Sequence, residues 1–163
     1  MENTVPTVYL VYGFTGAGKT TFAKALEQDT GAVRFSADEW MARLHGSNPP
    51  AEKFQEYCDS IGELIWDMAA LFLKRGHDVI MDMGFWSRFS RDQGRAFAAK
   101  HHADAKLYAV TCSEDVMRKR VLKRTSELPF GELVIDENAF ELFKTRFETL
   151  GADEEHIPID TSL

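Results

Sequence analysis

Cysteine is scarce in this chain, and long apolar stretches are missing. The 163 residues include two cysteines, Cys58 and Cys112, which have neither metal-ligand spacing nor a redox C-x-x-C spacing. We expect both to be buried, reduced thiols, as in a reducing compartment. No uncharged apolar run approaches the roughly 18 residues of a membrane span, and residues 1–4 do not resemble a signal peptide. These absences predict a cytoplasmic protein that does not enter a membrane.

Positive charge is also in short supply. Lys and Arg number 19 against 26 Asp and Glu, which gives a net charge of −7. Proteins that bind nucleic acids usually carry a basic face that neutralises phosphates, and here basic residues cluster only between 118 and 124. The five histidines are scattered apart from one adjacent pair, so no zinc site is expected. The composition therefore argues against a nucleic-acid partner.

Strand-like and helix-like segments alternate along the chain, without an internal repeat or a long linker. This alternation predicts one domain over 1–163 with an α/β fold, in which helices flank a five-stranded parallel sheet in three layers. The predicted strands are 8–12, 32–36, 78–82, 105–111 and 156–160, and the predicted helices are 18–28, 38–45, 51–75, 88–102, 114–125 and 136–149.

A glycine-rich segment joins the first predicted strand to the first predicted helix. Residues 13–20 read GFTGAGKT and satisfy the phosphate-loop (P-loop) pattern G-x-x-x-x-G-K-[ST]. Backbone N–H groups of such a turn, together with the helix N-terminus, hold phosphate groups. Lys19 can reach the terminal phosphates of ATP and Thr20 can bind Mg²⁺. The predicted nucleotide-binding residues are Gly13, Phe14, Thr15, Gly16, Ala17, Gly18, Lys19, Thr20 and Thr21.

Two aspartates follow predicted strands at the edge of the sheet where ligands of such folds bind. Asp82 ends an apolar strand in a Walker-B arrangement and is predicted to organise Mg²⁺ with Thr20. Asp38 follows the second strand and is predicted to accept the proton of an attacking hydroxyl. The alternative is a helix cap formed by Ser36 or Asp38, with Glu39 facing solvent or the helix dipole. Both interpretations of Asp38 stay open at this point.

A basic helix and an aromatic segment complete the candidate site. Arg120 and Arg124 lie four residues apart on one helical face. They are predicted to offset charge on the transferring phosphate from a lid over about 118–135, the alternative being a solvated basic face. The segment 84–88 (GFWSR) is predicted to line the acceptor cleft, whereas Arg91 and Arg95 are interpreted as surface charges. The tentative acceptor-binding residues are Asp38, Trp40, Phe85 and Arg88.

These motifs stand in a recognisable order: GFTGAGKT, then SADEW at 36–40, VIMD at 79–82 leading to GFWSR, Arg120 with Arg124, and IPIDT at 157–161. The order resembles the small P-loop kinases grouped around chloramphenicol phosphotransferase, zeta toxin and the polynucleotide-kinase phosphate-donor domain. The resemblance implies a five-stranded parallel sheet, ATP with Mg²⁺ as donor, an acceptor-activating aspartate at Asp38, and lid arginines at Arg120 and Arg124. Polynucleotide kinases carry an arginine three residues after that aspartate, where this chain has Met41.

The sequence therefore predicts an ATP-dependent kinase that acts on a hydroxyl of a small molecule such as a metabolite, nucleoside, sugar or antibiotic. Three alternatives remain open. They are a nucleotide-dependent switch or ATPase, a polynucleotide 5′-hydroxyl kinase, and a nucleotide-binding protein without catalysis.

Overall fold

The sheet is the centre of the structure, which is a computed structural model describing residues 4–128 and 133–162. Within these ranges five strands pair in the order β2-β3-β1-β4-β5, and every pair is parallel. The strands are β1 (Thr7–Tyr12), β2 (Val33–Ser36), β3 (Val79–Gly84), β4 (Asp104–Thr111) and β5 (Ile157–Asp160). The helices are α1 (Lys19–Thr30), α2 (Ala37–His45), α3 (Ala51–Lys74), α4 (Arg88–Lys100), α5 (Glu114–Glu127) and α6 (Glu137–Arg146). The predicted α/β fold with a five-stranded parallel sheet is confirmed.

The central strands bury both of their faces, as their nearly continuous apolar sequences require. Along β1, Val8 and Leu10 point into a core formed with α3 and α4, while Tyr9 and Val11 point into a second core against α1. Val8, Leu10 and Val11 have no exposed surface. The helices therefore lie on both faces of the sheet, and the three-layer arrangement follows.

Element ends differ from the predictions where a local contact extends or stops the chain. β3 continues two residues beyond the predicted end because Gly84 pairs with Tyr12 of β1. α4 stops at Lys100, since His101 caps the helix and His102 takes a left-handed φ of 54°. The predicted lid over 118–135 covers part of α5 and also residues 129–132, which lie outside the described ranges.

Through a third core, α5 and α6 pack against the glycine-rich loop. Phe14 of the loop packs against Phe140 and Phe147, with ring centroids 5.2 Å apart in each pair. Val121 of α5 completes the buried centre of this cluster. None of the helices in the described ranges has the length and apolar character needed to cross a membrane.

The expectation that Arg91 is a surface charge is wrong. Arg91 is 0% exposed, and its Nε donates to both carboxylate oxygens of Glu154 at 3.0 and 3.1 Å. Its Nη1 donates to the carbonyls of Phe85 and Glu148 at 3.0 and 3.1 Å. Arg95, also expected at the surface, donates to Glu154 Oε1 at 2.9 Å. These hydrogen bonds connect α4 to the segment that precedes β5.

Candidate functional site

The glycine-rich loop leaves the carboxyl end of β1 and enters α1. The N–H of Gly13 donates to the carbonyl of Gly84 at 3.2 Å, which fixes the start of the loop against β3. Gly16 and Gly18 have φ values of 80° and 96°, a region that favours glycine. A Cβ on Gly16 would also lie 2.5 Å from the carbonyl oxygen of Met117, so no larger residue fits there. The loop thus leads directly into the N-terminus of α1, the end of a helix at which backbone N–H groups can hold a phosphate.

Lys19 and Thr20 begin α1 and reach across the loop. The Lys19 ammonium donates to the carbonyl of Phe14 at 2.9 Å. The Thr20 hydroxyl donates to Asp82 Oδ2 at 3.2 Å, so the two predicted metal ligands lie together. Hydroxyl and carboxylate oxygens are the donors that Mg²⁺ prefers. The part of the chain that the structure describes contains no group of three His, Cys, Asp or Glu side chains arranged to hold a metal.

Asp82 is a buried carboxyl group, 6% exposed. Burial raises its pKa to about 6, an effect that nearby Asp38 strengthens and that Lys19, the Thr20 hydroxyl and Arg34 weaken. The negative charge of Asp82 is thus not fully offset by the surrounding protein groups. A bound cation would stabilise that charge.

Arg34 supports this corner of the site, and the sequence analysis did not identify it. It lies on β2 and pairs with Glu27 and with Glu39 at 3.1 Å, and its Nη1 lies 3.9 Å from Asp82 Oδ2. Of the two expectations for Glu39, solvent or the helix dipole, the second fits its place in the first turn of α2. Its carboxylate also accepts two hydrogen bonds from Arg34. The one indication of this network in the sequence is an arginine within a short strand, because a charged residue there needs charged partners.

Asp38 lies in the first turn of α2. The helix cap is Ser36, whose Oγ accepts from the N–H of Glu39 at 3.3 Å, so Asp38 is not needed as a cap. The Asp38 residue keeps part of its surface in contact with solvent. The protein that surrounds its carboxyl group nevertheless raises the pKa by desolvation, while the charges of Lys19 and Arg124 lower it, and the net pKa is above the ordinary value. The structure thus brings Asp38, Lys19 and Arg124 into one electrostatic group.

Helix α3 packs against α2, the helix that carries Asp38. The charge of Asp38, after burial, contributes to the raised pKa of Cys58 on α3. Both cysteines are free thiols, as expected, but they are half-buried and not buried.

The two lid arginines of α5 have different surroundings. Arg120 donates to the carbonyl of Gly16 at 3.3 Å and to the Thr161 carbonyl at 2.6 Å. The hydroxyl of Thr161 in turn donates to the carbonyl of Ala17, so Arg120 braces the phosphate loop against the chain after β5. Arg124, one turn later, is close enough for its charge to lower the pKa of Asp38. The transition-state role of either arginine stays a prediction.

The other predicted acceptor residues, Phe85, Trp40 and Arg88, lie in different surroundings. Phe85 is 3% exposed and takes a left-handed φ of 52°, and its ring lies 6.4 Å from that of Trp66. Trp40 is half-buried against Phe35. Arg88 is held by Asp92, Asp153 and Glu154 at 2.8 to 3.2 Å. The structure therefore gives Arg88 carboxylate partners, and its contact with a substrate stays a prediction.

Comparison with known proteins identifies the family of this chain. Residues 8–150 match the model of a protein family described as an AAA domain. The chain belongs to this AAA domain family. No curated protein sequence matches the chain.

Three solved structures show the same fold as this AAA domain. A candidate kinase from Chloroflexus aurantiacus is 20% identical, with a TM-score of 0.78 over 98% of this chain and 90% of that one. The Mycobacterium tuberculosis APS kinase CysC, in complex with AMPPNP and APS, is 13% identical, with a TM-score of 0.66 over 96% and 89%. A chain of the Pnkp1/Rnl/Hen1 RNA repair complex is 22% identical, with a TM-score of 0.71 over 89% and 45%. The resemblance to P-loop kinases is confirmed at the level of fold.

A cavity of about 430 Å³ opens in this AAA domain at the carboxyl end of β3. Its wall includes Trp86, which belongs to the 84–88 segment predicted from the sequence to line an acceptor cleft. The Trp86 indole N–H donates to the carbonyl of Gly13 at 3.0 Å, so this wall is bonded directly to the phosphate loop. The lining residues are Trp66, Met83, Phe85, Trp86, Gln93 and Arg146, together with Ser87 and Ser90. Trp40 and Arg88 are not among them.

Proposed function

We propose that the protein is an ATP-dependent kinase that transfers the γ-phosphoryl group to a hydroxyl of a small-molecule acceptor. The observation that carries the proposal is the placement of Asp38. Its carboxyl group lies within electrostatic reach of Lys19 and Arg124, beside the bonded pair of Thr20 and Asp82. This proximity supports a role for Asp38 as the proton acceptor of a hydroxyl that attacks a phosphate held by the loop.

The donor side rests on the loop and on the start of α1. The loop N–H groups and the helix dipole hold the phosphates, and Lys19 exchanges its bond with the Phe14 carbonyl for the terminal phosphates. Thr20 and Asp82 would hold Mg²⁺. That ion, when bound, neutralises charge that develops on the phosphate oxygens.

The acceptor side rests on Asp38. Asp38 orients the acceptor hydroxyl and takes its proton while the acceptor oxygen forms a bond to the γ-phosphorus. The bond from that phosphorus to the bridging oxygen breaks, and ADP leaves with the electron pair. Arg124 offsets charge on the equatorial oxygens, and Arg120 keeps the loop in place through Gly16 and Thr161.

A small acceptor fits the chain better than a nucleic acid. The net charge is −7, which opposes the phosphate contacts that a polynucleotide needs. The cavity beside β3, about 430 Å³, has the size of a small-molecule site.

The test compares Asp38→Asn with the wild type and with Asp29→Asn, an exposed control at the end of α1. ADP release is measured on a panel of hydroxylated metabolites, nucleosides, sugars, antibiotics and 5′-hydroxyl oligonucleotides, with Lys19→Ala as the blank. We expect Asp38→Asn to lower turnover on the acceptor by about 100-fold or more, the usual contribution of a general base. Nucleotide affinity, measured by calorimetry, should stay within a few-fold.

Three outcomes would contradict the proposal. Full activity of Asp38→Asn on the acceptor would remove the base assignment. The absence of magnesium–nucleotide uptake by the wild type would remove the kinase. ADP release that no acceptor stimulates would favour an ATPase or switch instead.

A further inference from the structure

The cavity at the carboxyl end of β3 has a mixed lining that indicates what it binds. One side is aromatic, with Trp66, Phe85 and Trp86. The Ser87 and Ser90 hydroxyls each make one hydrogen bond at the start of α4, where Ser87 Oγ accepts from the Ser90 N–H and Ser90 Oγ donates to the Ser87 carbonyl. Each hydroxyl keeps further hydrogen-bonding capacity, and the Gln93 amide and the Arg146 guanidinium are the other polar groups that can meet a ligand.

Arg146 is the charged group of this cavity. It is the last residue of α6 and is exposed. Across residues 4–128 and 133–162, no hydrogen bond or ion pair engages the Arg146 guanidinium or the Gln93 amide. A cation at the end of a helix stabilises the helix dipole, but Lys144 already lies in the same last turn. The dipole alone therefore does not account for a guanidinium on the cavity wall.

The cavity adjoins the site proposed for phosphoryl transfer. Ser36 of β2 pairs with Asp82 of β3, so Asp38 and Met83 leave the same edge of neighbouring strands, which lie roughly 4.8 Å apart. Helix α3 borders both places, with Cys58 in electrostatic contact with Asp38 and Trp66 on the cavity. Cys58 and Trp66 are about 12 Å apart along the axis of α3. A molecule in the cavity can thus extend toward Asp38.

We propose that this cavity is the acceptor subsite and that it takes a hydroxylated compound with a flat apolar body and one anionic group, which Arg146 binds. The proposal rests on the proposed function, because it names the acceptor class of the same site. The aromatic wall contacts the flat body, and the guanidinium forms a charge-assisted pair with a carboxylate or another oxyanion.

The binding test uses two matched probes, para-(hydroxymethyl)benzoate and its neutral carboxamide, titrated into the nucleotide-free protein by calorimetry. We expect the benzoate to bind about tenfold more tightly, the ratio expected for one charge-assisted pair. Arg146→Gln should abolish that preference. Arg75→Gln is the matched control, because Arg75 is also exposed at the C-terminal end of a helix but does not line the cavity.

Equal affinities for the two probes, no binding of either, or a preference that survives Arg146→Gln would each overturn the inference. The acceptor panel separates this inference from the proposed function. A phosphorylated acceptor that lacks an anionic group, with a KM unchanged in Arg146→Gln, overturns the inference and leaves the kinase standing. A benzoate preference that depends on Arg146, with no acceptor phosphorylated, overturns the kinase and the acceptor role together. Support requires an acidic acceptor whose KM rises about tenfold in Arg146→Gln while kcat changes less than about twofold.

Discussion

The buried pair of Arg91 and Glu154 offers a stability test that is independent of any substrate. Replacing Arg91 with Met keeps an apolar stem of similar length and removes the guanidinium. The carboxylate of Glu154, 5% exposed, then loses the Nε bonds at 3.0 and 3.1 Å. The carbonyls of Phe85 and Glu148 lose their Nη1 donor as well.

The size of the effect follows from what remains after the substitution. Breaking a buried pair by removing one partner costs about 3–5 kcal/mol of the free energy of unfolding. Arg95 and the Gly151 N–H still donate to Glu154, at 2.9 and 3.0 Å. We therefore expect Arg91→Met to cost about 3 kcal/mol, at the lower end of that range. The free energy of unfolding of most domains is about 5–15 kcal/mol. The variant should therefore still fold, but it should unfold at a much lower denaturant concentration.

The double variant Arg91→Met with Glu154→Gln isolates the interaction between the two side chains. Each single substitution leaves the other charge buried with fewer partners, whereas the double substitution removes both charges. The double variant should therefore cost less than the sum of the single costs, by about 2 kcal/mol.

Acid should weaken the wild type through the same pair. Burial alone raises the pKa of Glu154, but hydrogen bonds from Arg91, the Gly151 N–H and Arg95 outweigh it, so the net pKa lies below the usual value of 4.5. A carboxyl group with a lowered folded pKa contributes stability that is fully present above the unfolded pKa and is lost as the pH falls through the folded pKa. The wild type should lose more stability below about pH 4.5 than Glu154→Gln does.

Urea unfolding followed by circular dichroism measures all of these quantities at pH 7 and in acid. Arg43→Met, at an exposed position on α2, is the control and should change stability by less than about 0.5 kcal/mol. A cost below about 1 kcal/mol for Arg91→Met, or additive costs in the double variant, would refute the reasoning.

Two further predictions concern the phosphate loop. Gly16→Ala should weaken nucleotide binding by about tenfold or more and lower stability, because the new methyl group meets the Met117 carbonyl at 2.5 Å. Gly31→Ala is its control, since Gly31 has a φ of 72° but open space around it, and equal effects of both substitutions in urea and calorimetry would show that backbone strain alone matters. Trp86→Phe keeps the ring next to Phe14 but loses the N–H bond to Gly13, which should cost about 1 kcal/mol in urea unfolding; an unchanged midpoint would contradict it.

Strands and the phosphate loop could be predicted because their signals are local. A short apolar run between turn residues indicates a buried strand wherever it occurs. The loop pattern fixes four positions within eight consecutive residues, 13–20. The order of motifs along the chain also placed Asp38 and Asp82 at the same edge of the sheet.

Side-chain partners that are distant in sequence could not be predicted in this way. Arg91 and Glu154 are 63 residues apart, and the helical position of Arg91 alone is equally consistent with solvent. Arg34 and Glu39 are close in sequence, yet their pairing depends on α2 folding back beside β2. Trp86 is an aromatic residue after a strand, and only the structure shows that its N–H meets Gly13.

The bond from Trp86 to Gly13 joins the loop proposed to grip the nucleotide to the wall of the proposed acceptor cavity. A molecule that shifts this indole on entering the cavity also shifts the first carbonyl of the loop. Thermodynamic linkage then requires reciprocity, so that an acceptor which tightens nucleotide binding has its own affinity raised by the same factor when nucleotide is present. A single indole is thereby enough to couple the affinities of the two substrates, whichever of them arrives first.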